Sequence, residues 1–444
     1  MGLSKKAQAF FMTIVCIMVL QTNVSIAQGE MSLQELINTA LEQNYSVQIY
    51  KNNKRQAENS NTVGNAGMLP NVDLTGEYRF TQNNSRQQFF TGDSQQASNA
   101  KSTSLSGNIG VNWVIFDGLA MFARKDQLEL LERLSREDVR YYIEQTTFDV
   151  ALTYYRLTQE KKLLDSYRTS LRVSQTRYDY EKRAFDVGSS TGLDVQQALV
   201  DRNTDSSLVL NQKAQIRELE IQVNRIINRE LTSPITPSDT ILLKGDFNLV
   251  NLMEESRANN AQLNQQQLTE LAALSEAKIA SGALFPEVEL FGNYSYNRQE
   301  NEVGFLESSR QFGPNVGVRI RFNLYSGGQE RIRSENLKIE SESESLRSAD
   351  LQNQVEASVR IAYLRWQARL EQVRLEKESV EAAVEALKIA SKQYEVGTLT
   401  NVDFRIIQLN AVNAQSRFLE AQFAAKSREL EMQRLSGKLM DSVL

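Results

Sequence analysis

The sequence predicts an α+β membrane protein in which several copies pool amphipathic strands into one closed barrel, continued by very long helices packed as a coiled coil. Three observations carry this reading. Blocks of sequence recur in the same order in the two halves of the 444-residue chain. Each half holds a pair of segments that alternate apolar and polar residues, the period of a strand with one oily face. Each half also holds a proline-free segment of about 68 residues rich in helix formers, several times the usual helix length.

The chain opens with Lys5 and Lys6, an apolar run from Phe10 to Leu20, and Ser25-Ile26-Ala27 before Gln28. That is the layout of a secretory leader over residues 1–27. A membrane anchor is the rival reading, and the apolar run is short for it. The single cysteine, Cys16, lies inside this run, so the processed chain would carry no thiol and no disulfide. Histidine is absent, which removes the commonest general base and metal ligand. The net charge of −5, more acidic still once the leader lysines are gone, gives nucleic acid no basic surface. No cofactor and no metal site is expected.

Three matched blocks define two structural repeats, 28–229 and 249–444, joined by a linker at 230–248 that carries Pro234 and Pro237. "LPNVDLTGEY" from Leu69 matches "FPEVELFGNY" from Phe285. "NIGVNWVIFDG" from Asn108 matches "NVGVRIRFNLYSG" from Asn315. "FDVGSSTGLDV" from Phe185 matches "YEVGTLTNVDF" from Tyr394.

Each repeat begins with short helical segments, Leu33 to Gly67 and Leu249 to Gly282, with apolar residues every three or four positions. Strands are expected at about 70–82 and 104–116, then at about 286–298 and 311–324. In the last, Val316, Val318, Ile320, Phe322 and Leu324 alternate with polar or small residues. The polar text between partners, Thr81 to Ser102 and Arg298 to Arg310, reads as exposed loops. Long helix pairs follow at 120–229 and 329–436. Apolar residues recur there by sevens, as at Val359, Trp366, Val373, Val380, Leu387 and Tyr394, and at Leu164, Leu171, Tyr178 and Phe185. A seven-residue seam is coiled-coil packing.

Four strands from one chain cannot close a barrel, and in lipid every backbone N–H and C=O needs a partner. Several copies must therefore combine. A water-soluble four-stranded sheet is the alternative, and it leaves helices about 100 Å long without a purpose.

The order of strand pair and long helix pair, given twice, with "WVIFDG" and "FNLYSGG" entering the helices and "VGxxTxxD" at both bends, resembles the TolC-type outer-membrane efflux proteins. The resemblance spans about Leu33 to Gly437. It implies a homotrimer with a trimeric twelve-stranded β-barrel in outer-membrane lipid and a twelve-helix periplasmic tunnel. It further implies a passive exit duct, not an enzyme. Its partners would be a periplasmic adaptor (membrane fusion protein) and, through it, an inner-membrane RND or ABC transporter. The polar strand face, with Arg319, Arg321, Asp73, Glu77, Glu287 and Glu289, would line a pore of mixed charge, and Tyr78, Tyr294, Tyr296 and Trp113 would mark the membrane interfaces.

Locally the two bends read as helix punctuation, with Gly188 and Gly397 past a helix end and Thr, Asn and Asp opening the next helix. The resemblance adds a periplasmic gate: Asp403 lining the entrance, with Tyr394 and Asp194 helping to hold it shut. Two departures qualify it, since Leu399 replaces the family's basic residue and Ile406 replaces a second aspartate. A single acidic ring and a looser closure follow. Gly188, Ser189, Gly397 and Thr398 are the expected adaptor-docking tips. A periplasmic coiled-coil scaffold or adhesin without a pore is the competing function, and the exported substrate is not written in the sequence.

Overall fold

The computed structural model describes residues 30–244 and 246–443, so the leader expected at 1–27, with Cys16, lies outside the described residues. A two-residue strand, β1 (Glu30–Met31), leads into helices α1 (Leu33–Gln43) and α2 (Tyr45–Ser60). Strands β2 (Asn71–Gln88) and β3 (Ser94–Asp117) follow, then helices α3 (Ala120–Asp186) and α4 (Gly192–Ile226). After β4 (Thr236–Pro237) the same order returns: α5 (Leu249–Asn259), α6 (Ala261–Gly282), β5 (Glu287–Asn301), β6 (Ser308–Arg321), α7 (Gln329–Glu395) and α8 (Asn401–Leu435). The short α9 (Leu439–Val443) ends it.

The short helices wrap the long ones, and asparagine does the joining in both halves. Asn44 separates α1 from α2 because its side-chain oxygen accepts from Ser46 and Val47 N–H, capping the second helix. Its amide also donates to Ile226 O at 2.8 Å, at the end of α4. Asn260 caps α6 in the same way and donates to Leu435 O at 3.0 Å, at the end of α8. Each cap thus anchors a short helix pair to the end of a return helix.

Two apolar collars surround the long helices at this level. In one, Leu36 and Ile37 of α1 meet Val150, Tyr154 and Leu157 of α3 and Val223 of α4, all fully buried. In the other, Met253 of α5 meets Val359 and Trp366 of α7 and Met432 of α8. The linker is strapped to the first collar: β1 and β4 pair in parallel, and the Tyr154 hydroxyl lies 2.8 Å from Asp239 Oδ2. Burial pushes that phenol up to about 12, so it remains a hydrogen-bond donor at any physiological pH.

The four long strands form one antiparallel sheet in the order β2-β3-β5-β6. Register places Leu74, Ile109, Tyr294 and Pro314 side by side on one face, and Thr75, Asn108, Ser295 and Gly313 on the other. Both outer edges, β2 and β6, have no second strand partner among the described residues.

The segments 81–102 and 298–310 are not the loops their polarity suggests. The ladders run on to Gln88 and Ser94 in the first hairpin and to Glu300 and Ser308 in the second, leaving short turns. Backbone pairing needs no apolar side chain, and a hairpin wetted on both faces is polar throughout. Ser102 Oγ, for instance, donates to Asn301 Oδ1 at 2.6 Å across the ladder. At the opposite end β6 stops at Arg321, so Phe322 and Leu324 fall outside the strand.

Candidate functional site

Helices α3 and α7 each run 67 residues, about 100 Å, away from the sheet, and each turns back at one copy of the VGxxTxxD phrase. The turns are built alike. Gly188 and Gly397 adopt φ of 80° and 75°, the left-handed region that side chains avoid. Ser189 N–H then returns to Ala184 O at 2.8 Å, and Thr398 N–H to Gln393 O at 2.9 Å, so the last carbonyls of each long helix are satisfied.

The return helices start on threonine. Thr191 accepts from Asp194 N–H at 3.2 Å and donates to the Asp194 carboxylate at 2.6 Å, and Thr400 and Asp403 repeat the arrangement at 3.1 and 2.6 Å. Both repeated aspartates therefore have a local task, closing a helix start whose dipole favours negative charge. The Asp403 carboxylate is nonetheless on an exposed residue, as is Ile406, while Leu399 is half-buried.

Tyr394 and Asp194, expected to act together, are not bonded. The Tyr394 hydroxyl donates to Glu181 of α3, which also accepts from Ser190 Oγ at 2.5 Å. Its ring lies 5.0 Å from that of Phe404 and 6.0 Å from that of Tyr180. Burial, then the Glu181 carboxylate, pushes the Tyr394 phenol far above its ordinary value. Asp194 is committed to its cap, so the nearer buried acid on the facing helix becomes the tyrosine's partner.

Just above the turns lies a polar junction that the sequence reading missed. Arg405 of α8 reaches into the α3–α4 hairpin and grips Asp205 with two nitrogens, at 2.9 and 2.8 Å. Asp205 also accepts from Ser174 Oγ at 2.5 Å and Ser170 Oγ at 3.0 Å. Gln408, one turn along α8, donates to Ser170 O at 3.0 Å, and Arg177 pairs with Asp201. Arg405, Asp205, Arg177 and Asp201 are all buried. Burial alone would raise Asp205, but hydrogen bonds from Arg405 and Ser174 and the Arg405 charge hold it below the usual carboxylate range. The signal was a stripe of polar residues at helical spacing, Ser170, Ser174, Arg177 and Glu181 on α3, where a search for apolar sevens passes over them.

Beside this junction a groove of about 590 Å³ opens between α3 and α7, lined by Val173, Arg177, Tyr180, Tyr394 and Phe404. Among the described residues no cluster of three or more Asp, Glu, Cys or His side chains is placed to hold a metal. None of the described helices is long and apolar enough to cross a membrane.

The fold is shared with solved channels. It superposes on the Campylobacter jejuni CmeC outer membrane channel with a TM-score of 0.78 at 13% identity, over 92% of this chain and 86% of that one. For the outer membrane protein VceC of Vibrio cholerae the TM-score is 0.75 at 16% identity, over 91% and 96%. In sequence it is 22% identical to the outer membrane protein TolC of Vibrio cholerae over 328 residues, 69% of each chain. Residues 36–229 and 252–438 match the outer membrane efflux protein model. With both halves matched and the helix-and-sheet architecture in common, the chain belongs to the outer membrane efflux protein family.

Proposed function

We propose that three copies of this chain form a passive exit duct across the outer membrane for substrates delivered by a tripartite efflux pump or a type I secretion system. Each copy contributes four strands to a twelve-stranded barrel, and the helix pairs form a tunnel reaching into the periplasm. The halves 28–229 and 249–444 serve as structural repeats joined by 230–248, behind a leader at 1–27. The sheet carries this reading: it has one apolar face and two unpaired edges, β2 and β6, which in lipid must be closed by neighbouring copies.

The turns are then the periplasmic entrance. Three copies of Asp403 around the axis concentrate negative potential and favour cations. Leu399 and Ile406 supply no further charge, so closure rests on packing and on the Arg405–Asp205 junction, which holds the second hairpin to the first. Gly188, Ser189, Gly397 and Thr398, exposed at the tips, receive a periplasmic adaptor that links the duct to an RND or ABC transporter.

Conductance in planar bilayers tests the reading. Detergent-extracted trimers should give discrete channels with a cation preference that Asp403→Asn reduces. A protein that is water-soluble, elongated and without conductance would support the scaffold reading instead. Unchanged selectivity in Asp403→Asn channels would remove the ring alone.

A further inference from the structure

The two halves of the chain meet along one surface, and each half carries the counterpart of that surface uncovered. Inside the chain, α6 of the second half lies along α3 of the first. Gln265 Nε2 donates to Asp138 Oδ1 at 2.8 Å, Gln127 Nε2 donates to Glu276 Oε2 at 2.5 Å, and Ala261 lines one small cavity with Tyr141. At the end of α8, Arg434 donates to Gln145 Oε1 of α3 at 3.3 Å.

The duplicated sequence gives these residues counterparts in the other half. Tyr45 and Ile49 follow the capping Asn44 of α2 as Ala261 and Gln265 follow Asn260 of α6, and Arg225 precedes Ile226 as Arg434 precedes Leu435. Asp350 and Gln354 stand as far before the bend at Gly397 as Tyr141 and Gln145 stand before Gly188. The counterparts are bare: Ala261 is 3% exposed, whereas Tyr45 is 65% and Ile49 is 55% exposed. On α7, Ile332, Leu346, Asp350 and Gln354 fall on one exposed stripe at helical spacing. Ile332 is 59% exposed, while Ala123, at the same place on α3, is 8% exposed.

We infer that α2 and the end of α4 in one copy pack along α7 of the next copy, repeating between copies the surface that joins the halves within a chain. The inference deepens the trimer reading above and rests on it. Within the chain a small Ala261 faces a large Tyr141; between copies the sizes are exchanged, with Tyr45 facing Asp350, whose carboxylate can accept from the phenol. Ile49 then comes against Leu346, an apolar pair in place of Gln265 and Asp138. The arginine–glutamine pair is kept unchanged in type, as Arg225 with Gln354. The surface joins two different patches, so the contact runs head to tail and closes into a ring.

Photo-crosslinking of the full chain in membranes tests the pairing. With p-benzoylphenylalanine placed at Tyr45, irradiation should link two copies covalently, and the linked peptide should come from the stretch of α7 around Asp350. The same group at Gln265 should link only within one chain, to α3. In the detergent-purified protein, Tyr45→Ala should shorten the lifetime of the trimer by about tenfold. Adding Asp350→Tyr rebuilds the alanine–tyrosine contact found inside the chain and should restore most of that lifetime. An intact trimer whose Tyr45 position links elsewhere, or a double variant no longer-lived than Tyr45→Ala, overturns this inference and leaves the trimer standing. A protein that stays monomeric and gives no channels overturns both.

Discussion

Helices α3 and α7 have the same length, the same place in their halves and the same bend at the end, yet they are buried very differently. Along α3 twenty residues are buried in the single chain, against six along α7. The first finds its neighbours at home: α1, α2, α4, α6 and α8 all pack on it. The second leaves Ile332, Ile339 and Leu346, spaced by sevens, more than half exposed, with Leu364 and Val384 further along. A heptad of apolar residues facing water is a seam without its partner. The two helices carry the same pattern, and only one completes its packing within the chain.

The largest effect should come from breaking the buried ion pair that ties the second hairpin to the first near the turns. Asp205→Ala strands the Arg405 guanidinium, and loss of one member of a buried pair costs about 3–5 kcal/mol. Amide hydrogen exchange should rise sharply in the last turns of α3 and α8, and conductance should increase, while the collars stay protected. If exchange at the tips is unchanged, the junction does not hold the hairpins together.

Comparable in size, Ile339→Asp with Leu346→Asp on α7 should dissociate the proposed trimer. Each apolar side chain buried at such a seam contributes about 1.5–3 kcal/mol. The heat-modifiable trimer band on electrophoresis should disappear with little change in helix content. The equivalent charge placed on α3 at Leu164, which is already covered within the chain, should unfold the protomer itself.

Acidification separates collar from tip. Asp138, Glu144 and Asp149 on α3 are pushed up by burial, against opposing contributions from Gln265, Arg140 and Gln145 respectively. Raised carboxylates cost stability at neutral pH and return it as pH falls through their elevated pKa. Asp205 is held low, so its contribution is complete above the ordinary carboxylate value and lost only below it. Going from about pH 7 to about pH 5 should raise the thermal midpoint slightly and leave exchange at the tips unchanged. A loss of tip protection in that range would contradict the assignment.

The smallest effect concerns the turns themselves. Thr400→Ala removes the oxygen that accepts from Asp403 N–H and should cost about 1 kcal/mol, seen as faster exchange in the first turn of α8 alone.

The course of the chain was legible because its signals are local. Period two marks the strands, propensity without proline marks the long helices, and a glycine with a Thr/Asp pair three residues apart marks each bend. What escaped was polar. The outer halves of the hairpins looked like loops because their residues face water on both sides, although backbone pairing carries them through. The Arg405–Asp205 junction escaped because its members are separated by 200 residues and each, taken alone, is an ordinary charge on a helix.

By itself, then, the sequence determined the elements, their order, their repetition and the chemistry of the turns, since each depends on residues within a few positions of one another. The partner of Tyr394, the ion pairs buried between hairpins and the unequal covering of α3 and α7 were decided only by tertiary structure. Those depend on which helix faces come together across hundreds of residues, as where Tyr394 meets Glu181 while Asp194 stays bonded to Thr191.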